Sequence, residues 1–243
     1  EARNCRACLR QYRYLMGKGS GKRLHGPQLC AGAPGDHNLS RRSSPNLCSR
    51  HPDLIGHHGG VRSGVQPGSF DPPTLAHLAI ADAARRRWDL DRVVWALSRD
   101  PLGKERGGRT TVEARRAVLD RVADDHAWLE VVVSDARLVA DLTAGHDVVV
   151  MGADKWHQLH DPAFYGAETD GVEADGAEAA MADALGRLPT CAVAPRDGLQ
   201  VPAEVRLDVA AWVARQSSTL AVDTAPWMML SAARASGLWA DGT

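Results

Sequence analysis

Thr74 and His77 stand three residues apart, directly after the run Pro67-Gly68-Ser69-Phe70-Asp71-Pro72-Pro73. On a helix that spacing puts two side chains on one face of one turn. Thr74 is a favoured N-cap residue, and Leu75, Leu78 and Ala79 supply the apolar periodicity of a helix behind it. A hydroxyl, an imidazole and the orphan N–H groups of a helix N-terminus are thereby predicted to converge, where the helix dipole also attracts anions. Gly68 and Ser69 carry little or no side chain, so the backbone N–H groups of their turn are open to a phosphate chain. Such a point suits a polyphosphate whose charge grows in a transition state, because fixed donors need no reorganisation as that charge develops.

Holding these groups in place requires a strand before the turn and a helix after it. The pair Pro72-Pro73 cannot donate to a sheet ladder, so a strand ends near Pro67 and a helix runs from Thr74 to about Arg87. The pattern then alternates: a strand at Arg92–Ser98, a loop to Gly108, a helix from about Thr111 to Ala123, a strand at Trp128–Val133 and a short helix around Ala136–Thr143. Asp147–Met151 holds three successive valines and reads as a strand buried on both faces. Residues 155–187 read as loosely helical, with an acidic exposed loop over Glu168–Glu178. Pro189–Pro195 reads as a further strand, Val201–Val213 as a strand or a helix, and Pro226–Ser236 as a closing helix. The alternation predicts an α/β fold: a Rossmann-like, doubly wound parallel sheet with helices on both faces. Ligands of such sheets collect outside the carboxyl ends of the strands where strand order reverses, which brings Gly68, Thr74, Ser98 and Gly152 to one rim.

Charge divides the chain near residue 60. Residues 1–63 hold 11 Lys or Arg against 3 Asp or Glu, while residues 64–243 hold 18 against 27. The first 60 residues are rich in Arg, Gly, Ser, Pro and His without periodicity. They read as a disordered basic segment ahead of a folded domain at 61–243. An acidic body argues against nucleic acid as a partner, and no run approaches the 18 apolar residues of a membrane span, so a soluble cytoplasmic enzyme of small molecules is expected. Cys5, Cys8, Cys30 and Cys48 lie in the basic segment, and their spacing departs from the paired pattern of a zinc site.

The run from Gly68 to His77 resembles the signature of the nucleotidyltransferase superfamily (cytidylyltransferase-like): a Gly-rich turn, Phe-Asp-Pro, then Thr-or-His, x, Gly, His. Ala76 stands where that signature has Gly. A second block, Met151-Gly152-Ala153-Asp154-Lys155-Trp156, is similar to the Gly-Ala-Asp turn of bacterial nicotinate-mononucleotide adenylyltransferases. A third, Ser217-Ser218-Thr219-Leu220-Ala221-Val222, resembles the family's Ser-Ser-Thr-x-(Ile or Val)-Arg turn, with Val222 in place of Arg. The resemblance implies transfer of AMP from ATP, with Mg²⁺, to a small phosphomonoester, most like nicotinate mononucleotide, and release of pyrophosphate. It implies His77, Thr74 and Lys104 as catalytic groups. ATP is assigned to Gly68, Ser69, Phe70, Asp71, Arg115, Ser217, Ser218 and Thr219, and the acceptor to Asp154 and Trp156. No protein metal ligand is implied. Two alternatives stay open, a pantetheine-phosphate adenylyltransferase, suggested by Thr at position 74, and a nucleotide-binding homologue impaired through Ala76 and Val222.

Overall fold

Strand β1 (Ser63–Gly68) lies at the middle of a parallel sheet that contains β2 (Arg92–Ser98), β3 (Leu129–Ser134), β4 (Val148–Gly152) and β5 (Thr190–Ala194) in the order β3-β2-β1-β4-β5. The computed structural model describes residues 60–99, 110–166 and 174–240. The expectation for residues 1–59 therefore lies outside the described residues, and Val61–Thr243 forms one compact unit.

The strands are in close register, Ser63 to Gly68 of β1 facing Arg92 to Leu97 of β2, and Val148 to Gly152 of β4 facing Thr190 to Ala194 of β5. Chain order reverses between β1 and β4, the switch point that the alternation of elements predicts. Helices cover both faces because successive strand residues point to opposite sides. Val148 and Val150 pack in one layer with Ile80, Ala81 and Ala84 of α1 (Leu75–Arg87), whereas Val149 and Met151 pack in the other with Val139, Ala153 and Leu159. Those three residues belong to the short helices α3 (Val139–Leu142) and α4 (Ala153–Leu159), which follow α2 (Val112–Ala123) in the chain.

Three sequence expectations change. Glu178 belongs to the helix Ala174–Gly186, so the acidic loop does not extend that far, and residues 167–173 lie outside the described residues. The alanines that follow residue 174 favour helix strongly enough to overcome the scattered acidic residues and Gly176. Within Val201–Val213 the chain forms neither strand nor helix of its own until Val213. It lies against β5 through single hydrogen bonds, Val193 N–H to the Val205 carbonyl (2.7 Å) and Leu207 N–H to the Val193 carbonyl (2.8 Å). The closing helix over Pro226–Ser236 is instead a 3₁₀ turn, Pro226–Met228, and a separate helix, Ser231–Ser236. Between them the chain stays extended, because Met229 bridges Thr74 and the Leu230 N–H donates to the Pro73 carbonyl at 3.1 Å. The C-terminal segment thus anchors the loop that precedes α1.

Candidate active site

The Thr74 backbone is extended (φ −121°, ψ 164°) and stops the chain from entering the helix one residue early. Its hydroxyl oxygen accepts from the His77 N–H at 3.5 Å, while His77 Nδ1 accepts from the Thr74 N–H at 3.0 Å. This is a capping box with imidazole in the place usually taken by Glu or Gln. The reciprocal bonds fix the tautomer. With Nδ1 accepting from an amide, the neutral ring carries its proton on Nε2, which makes that nitrogen a donor. His77 and Thr74 both line a cavity of about 830 Å³. The imidazole thus satisfies a helix-end donor on a residue that stands on the cavity lining.

Phe70 orients that imidazole from behind. Its side chain is 1% exposed, and its ring meets the His77 ring at 5.1 Å and stacks on Trp95 at 4.9 Å. Trp95 is held in turn by its indole N–H donating to Gln66 Oε1 at 2.9 Å. Phe70 also explains Gly68: a Cβ at residue 68 would stand 3.0 Å from the Phe70 ring. The missing side chain thus makes room for an aromatic ring, rather than only for an approaching phosphate. Gly68 and Ser69 nevertheless line the cavity.

Asp71 and Arg115 stand behind the turn and are absent from the cavity lining. Asp71 Oδ1 accepts from the Trp239 indole N–H at 2.6 Å and from the Thr110 hydroxyl at 3.2 Å. Arg115 is buried on α2, and its guanidinium donates to the Ser69 carbonyl at 2.6 Å. The geometry makes it a brace for the glycine turn. Neither role is visible in sequence, because each depends on a partner at least 39 residues away.

The far rim is assembled from later elements. Ser217 caps the helix Ser218–Asp223, its hydroxyl accepting from the Leu220 N–H at 3.0 Å, and the Ser218 hydroxyl donates to the Pro72 carbonyl at 2.9 Å. With Thr219, all three line the cavity. Gly152 and Ser98 line it too, so the four residues expected on one rim are brought together. Asp154 lies on the lining at the start of α4 and faces Arg196 at 3.4 Å. Trp156, two residues on, packs on the core layer of Val149 and Met151, meets the His160 ring at 4.2 Å in a tilted arrangement and is absent from the lining. Residues on α4 two apart point in different directions. Lys104 lies outside the described residues.

Two lining arginines escaped the sequence reading. Arg137 follows β3, and Arg196 follows β5 and donates to the Gln216 carbonyl at 2.7 Å. Both sit just past a strand's carboxyl end, the position rule that had already picked out Gly68 and Gly152.

Residues 65–170 match the family model described as cytidylyltransferase-like. Over that segment the chain is similar to a cytidylyltransferase-like domain. The segment holds the glycine turn, the capping box and Asp154, and the resemblance read from the sequence holds there. Among curated proteins, the chain is 35% identical over 112 residues to the "Probable nicotinate-nucleotide adenylyltransferase" of Bradyrhizobium sp. (strain ORS 278), a match covering 41% of this chain and 58% of that protein. It is 32% identical over 114 residues to the protein of the same name from Chlorobaculum parvum, again 41% of this chain and 58% of that protein. It is also 35% identical over 71 residues to the phosphopantetheine adenylyltransferase of Natranaerobius thermophilus, covering 29% of this chain and 41% of that protein. The chain thus matches less than two thirds of the length of these relatives. Among the described residues no helix is long and apolar enough to cross a membrane.

Proposed function

We propose that the protein transfers the adenylyl group of ATP to a small phosphomonoester, with nicotinate mononucleotide as the acceptor. The observation that carries this reading is the Thr74–His77 capping box, which sets an imidazole donor on the lining of a cavity at the switch point of a parallel sheet. An acceptor phosphate oxygen attacks the α-phosphorus in line. The bond from that phosphorus to the bridging oxygen breaks, and pyrophosphate leaves with the electron pair. No side chain is modified, so catalysis consists of positioning and of stabilising charge on the departing pyrophosphate.

His77 Nε2–H is assigned to that developing charge, together with the first-turn N–H groups beside Thr74, whose orphan donors have no intrahelical acceptor. Lys104, which follows β2 in the sequence, is assigned to the same phosphates. Gly68, Ser69, Ser217, Ser218 and Thr219 line the nucleotide's side of the reading, with Phe70, Asp71 and Arg115 holding the turn. Mg²⁺ enters on the phosphates of ATP, as part of the substrate, and neutralises part of the departing charge.

Asp154, exposed on the lining and paired to Arg196 across 3.4 Å, is the group assigned to the acceptor's hydroxyls. Nicotinate mononucleotide is favoured by the names of the relatives that match over the longer stretches, and by the Gly152-Ala153-Asp154 turn. Phosphopantetheine is the second reading, carried by the Natranaerobius match and by Thr at position 74. A panel of acceptors with ATP, read as pyrophosphate released, separates them. Nicotinate mononucleotide is expected to turn over at least tenfold faster than phosphopantetheine, the discrimination of a site built to pair its substrate's polar groups. Turnover with phosphopantetheine alone overturns the choice.

A further inference from the structure

The turn before α1 is short of donors of its own. Pro72 and Pro73 have no backbone N–H, so this stretch offers mainly acceptors. Three successive residues each take a donor from one distant part of the chain. The Trp239 indole N–H donates to Asp71 Oδ1 at 2.6 Å, the Ser218 hydroxyl to the Pro72 carbonyl at 2.9 Å, and the Leu230 N–H to the Pro73 carbonyl at 3.1 Å. Met229 pairs with Thr74 at the next position. The four residues that lead into the helix of His77 are thus fixed by residues 218–239.

Trp239 is the side chain placed most specifically for this. The helix Ser231–Ser236 ends at Gly237, whose left-handed backbone (φ 69°) reverses the chain just before Trp239. The Trp239 ring is buried, and its single N–H is spent on Asp71. Asp71 Oδ1 also accepts from the Thr110 hydroxyl at 3.2 Å. Without the indole N–H the carboxylate therefore keeps a donor, and what it loses is its place rather than its satisfaction. That place matters because Asp71 follows Phe70 directly, and the Phe70 ring meets the His77 ring at 5.1 Å. Displacing Asp71 shifts the ring that stands behind the imidazole.

We propose that Trp239 is a positioning residue for the transfer step, acting through Asp71 and Phe70 to set where His77 stands relative to the phosphates. The inference rests on the adenylyl-transfer reading, which supplies the reaction but assigns nothing to the chain beyond Thr219.

Trp239→Phe, made in the full chain, keeps a buried ring and removes the donor. Its kcat, read as pyrophosphate released, should fall about tenfold, below the roughly hundredfold cost that a 1 Å misplacement from a distant substitution can bring. Its ATP dissociation constant, by calorimetry, should stay within about twofold, since the interaction with His77 strengthens only in the transition state. In an Asp71→Ala background the same substitution should cost no further kcat, as expected of two residues acting in one line. Losses that multiply overturn the route through Asp71. A lowered melting temperature with unchanged kcat per folded molecule makes Trp239 a core residue and overturns the inference while adenylyl transfer stands. A fall in ATP affinity as large as that in kcat does the same. No pyrophosphate from the wild type with any acceptor defeats the transfer reading and this inference with it. If Asp71→Ala does not fold, kcat against ATP affinity in Trp239→Phe still decides.

Discussion

His77→Ala should lower kcat by about a hundredfold or more, about 3 kcal/mol, the usual scale for losing one preorganised donor to a developing oxyanion. ATP affinity should fall far less, because the interaction strengthens only as charge moves onto the departing pyrophosphate. The capping box adds a second consequence. Removing the imidazole leaves the Thr74 N–H without its acceptor, a loss on the order of 1 kcal/mol of stability. The two effects separate with His77→Gln, whose amide oxygen can accept from the Thr74 N–H as Gln does at this position of a capping box. With its amide turned back to the cap, Gln places no donor where Nε2–H stood. Its melting temperature should return to the wild-type value while kcat stays low. Full turnover per folded His77→Ala molecule, with a lowered melting temperature, would reduce the imidazole to a cap.

Phe70→Ala should cost about 3–5 kcal/mol of stability, the range for truncating a fully buried aromatic side chain. The ring is 1% exposed and touches three features at once: the His77 ring, the Trp95 ring and the space left open by Gly68. The loss should spread to activity, since His77 keeps its cap but loses the ring that limits its rotation. Phe70 also holds a left-handed backbone (φ 46°), which an alanine does not relieve. Phe70→Leu, which keeps most of the volume, should lose markedly less stability. Denaturant unfolding checks both variants, and a cost below about 1 kcal/mol for Phe70→Ala would mean the ring is not the post that this geometry makes it.

The sheet was legible from the sequence because its signals are local. Arg-Val-Val-Trp-Ala-Leu-Ser and the three valines of β4 carry their burial in their own composition, and both strands form within a residue of where the pattern places them. The capping box was legible for the same reason, since Thr74 and His77 are three apart. Phe70 and Trp156 were not. A sequence motif says that an aromatic ring is required, but whether the ring meets a ligand or the core depends on Trp95, His77 and His160 lying beside it. Arg115 was found for its position on α2, yet the reach of its guanidinium to Ser69 rather than into the cavity is a tertiary fact. The region after β5 was least legible. Its hydrogen bonds run singly to Val193, Pro73 and Asp71, and such bonds leave no periodicity to read.

The central claim is that the rim of this sheet transfers an adenylyl group, and the fate of labelled phosphorus tests it most directly. ATP labelled at the α-phosphorus, incubated with the protein, Mg²⁺ and nicotinate mononucleotide, should pass its label to the acceptor. ATP labelled at the γ-phosphorus should release its label as pyrophosphate at the same rate. Transfer of the γ-label to the acceptor, or its release as inorganic phosphate with the α-label left on ADP, would contradict the account.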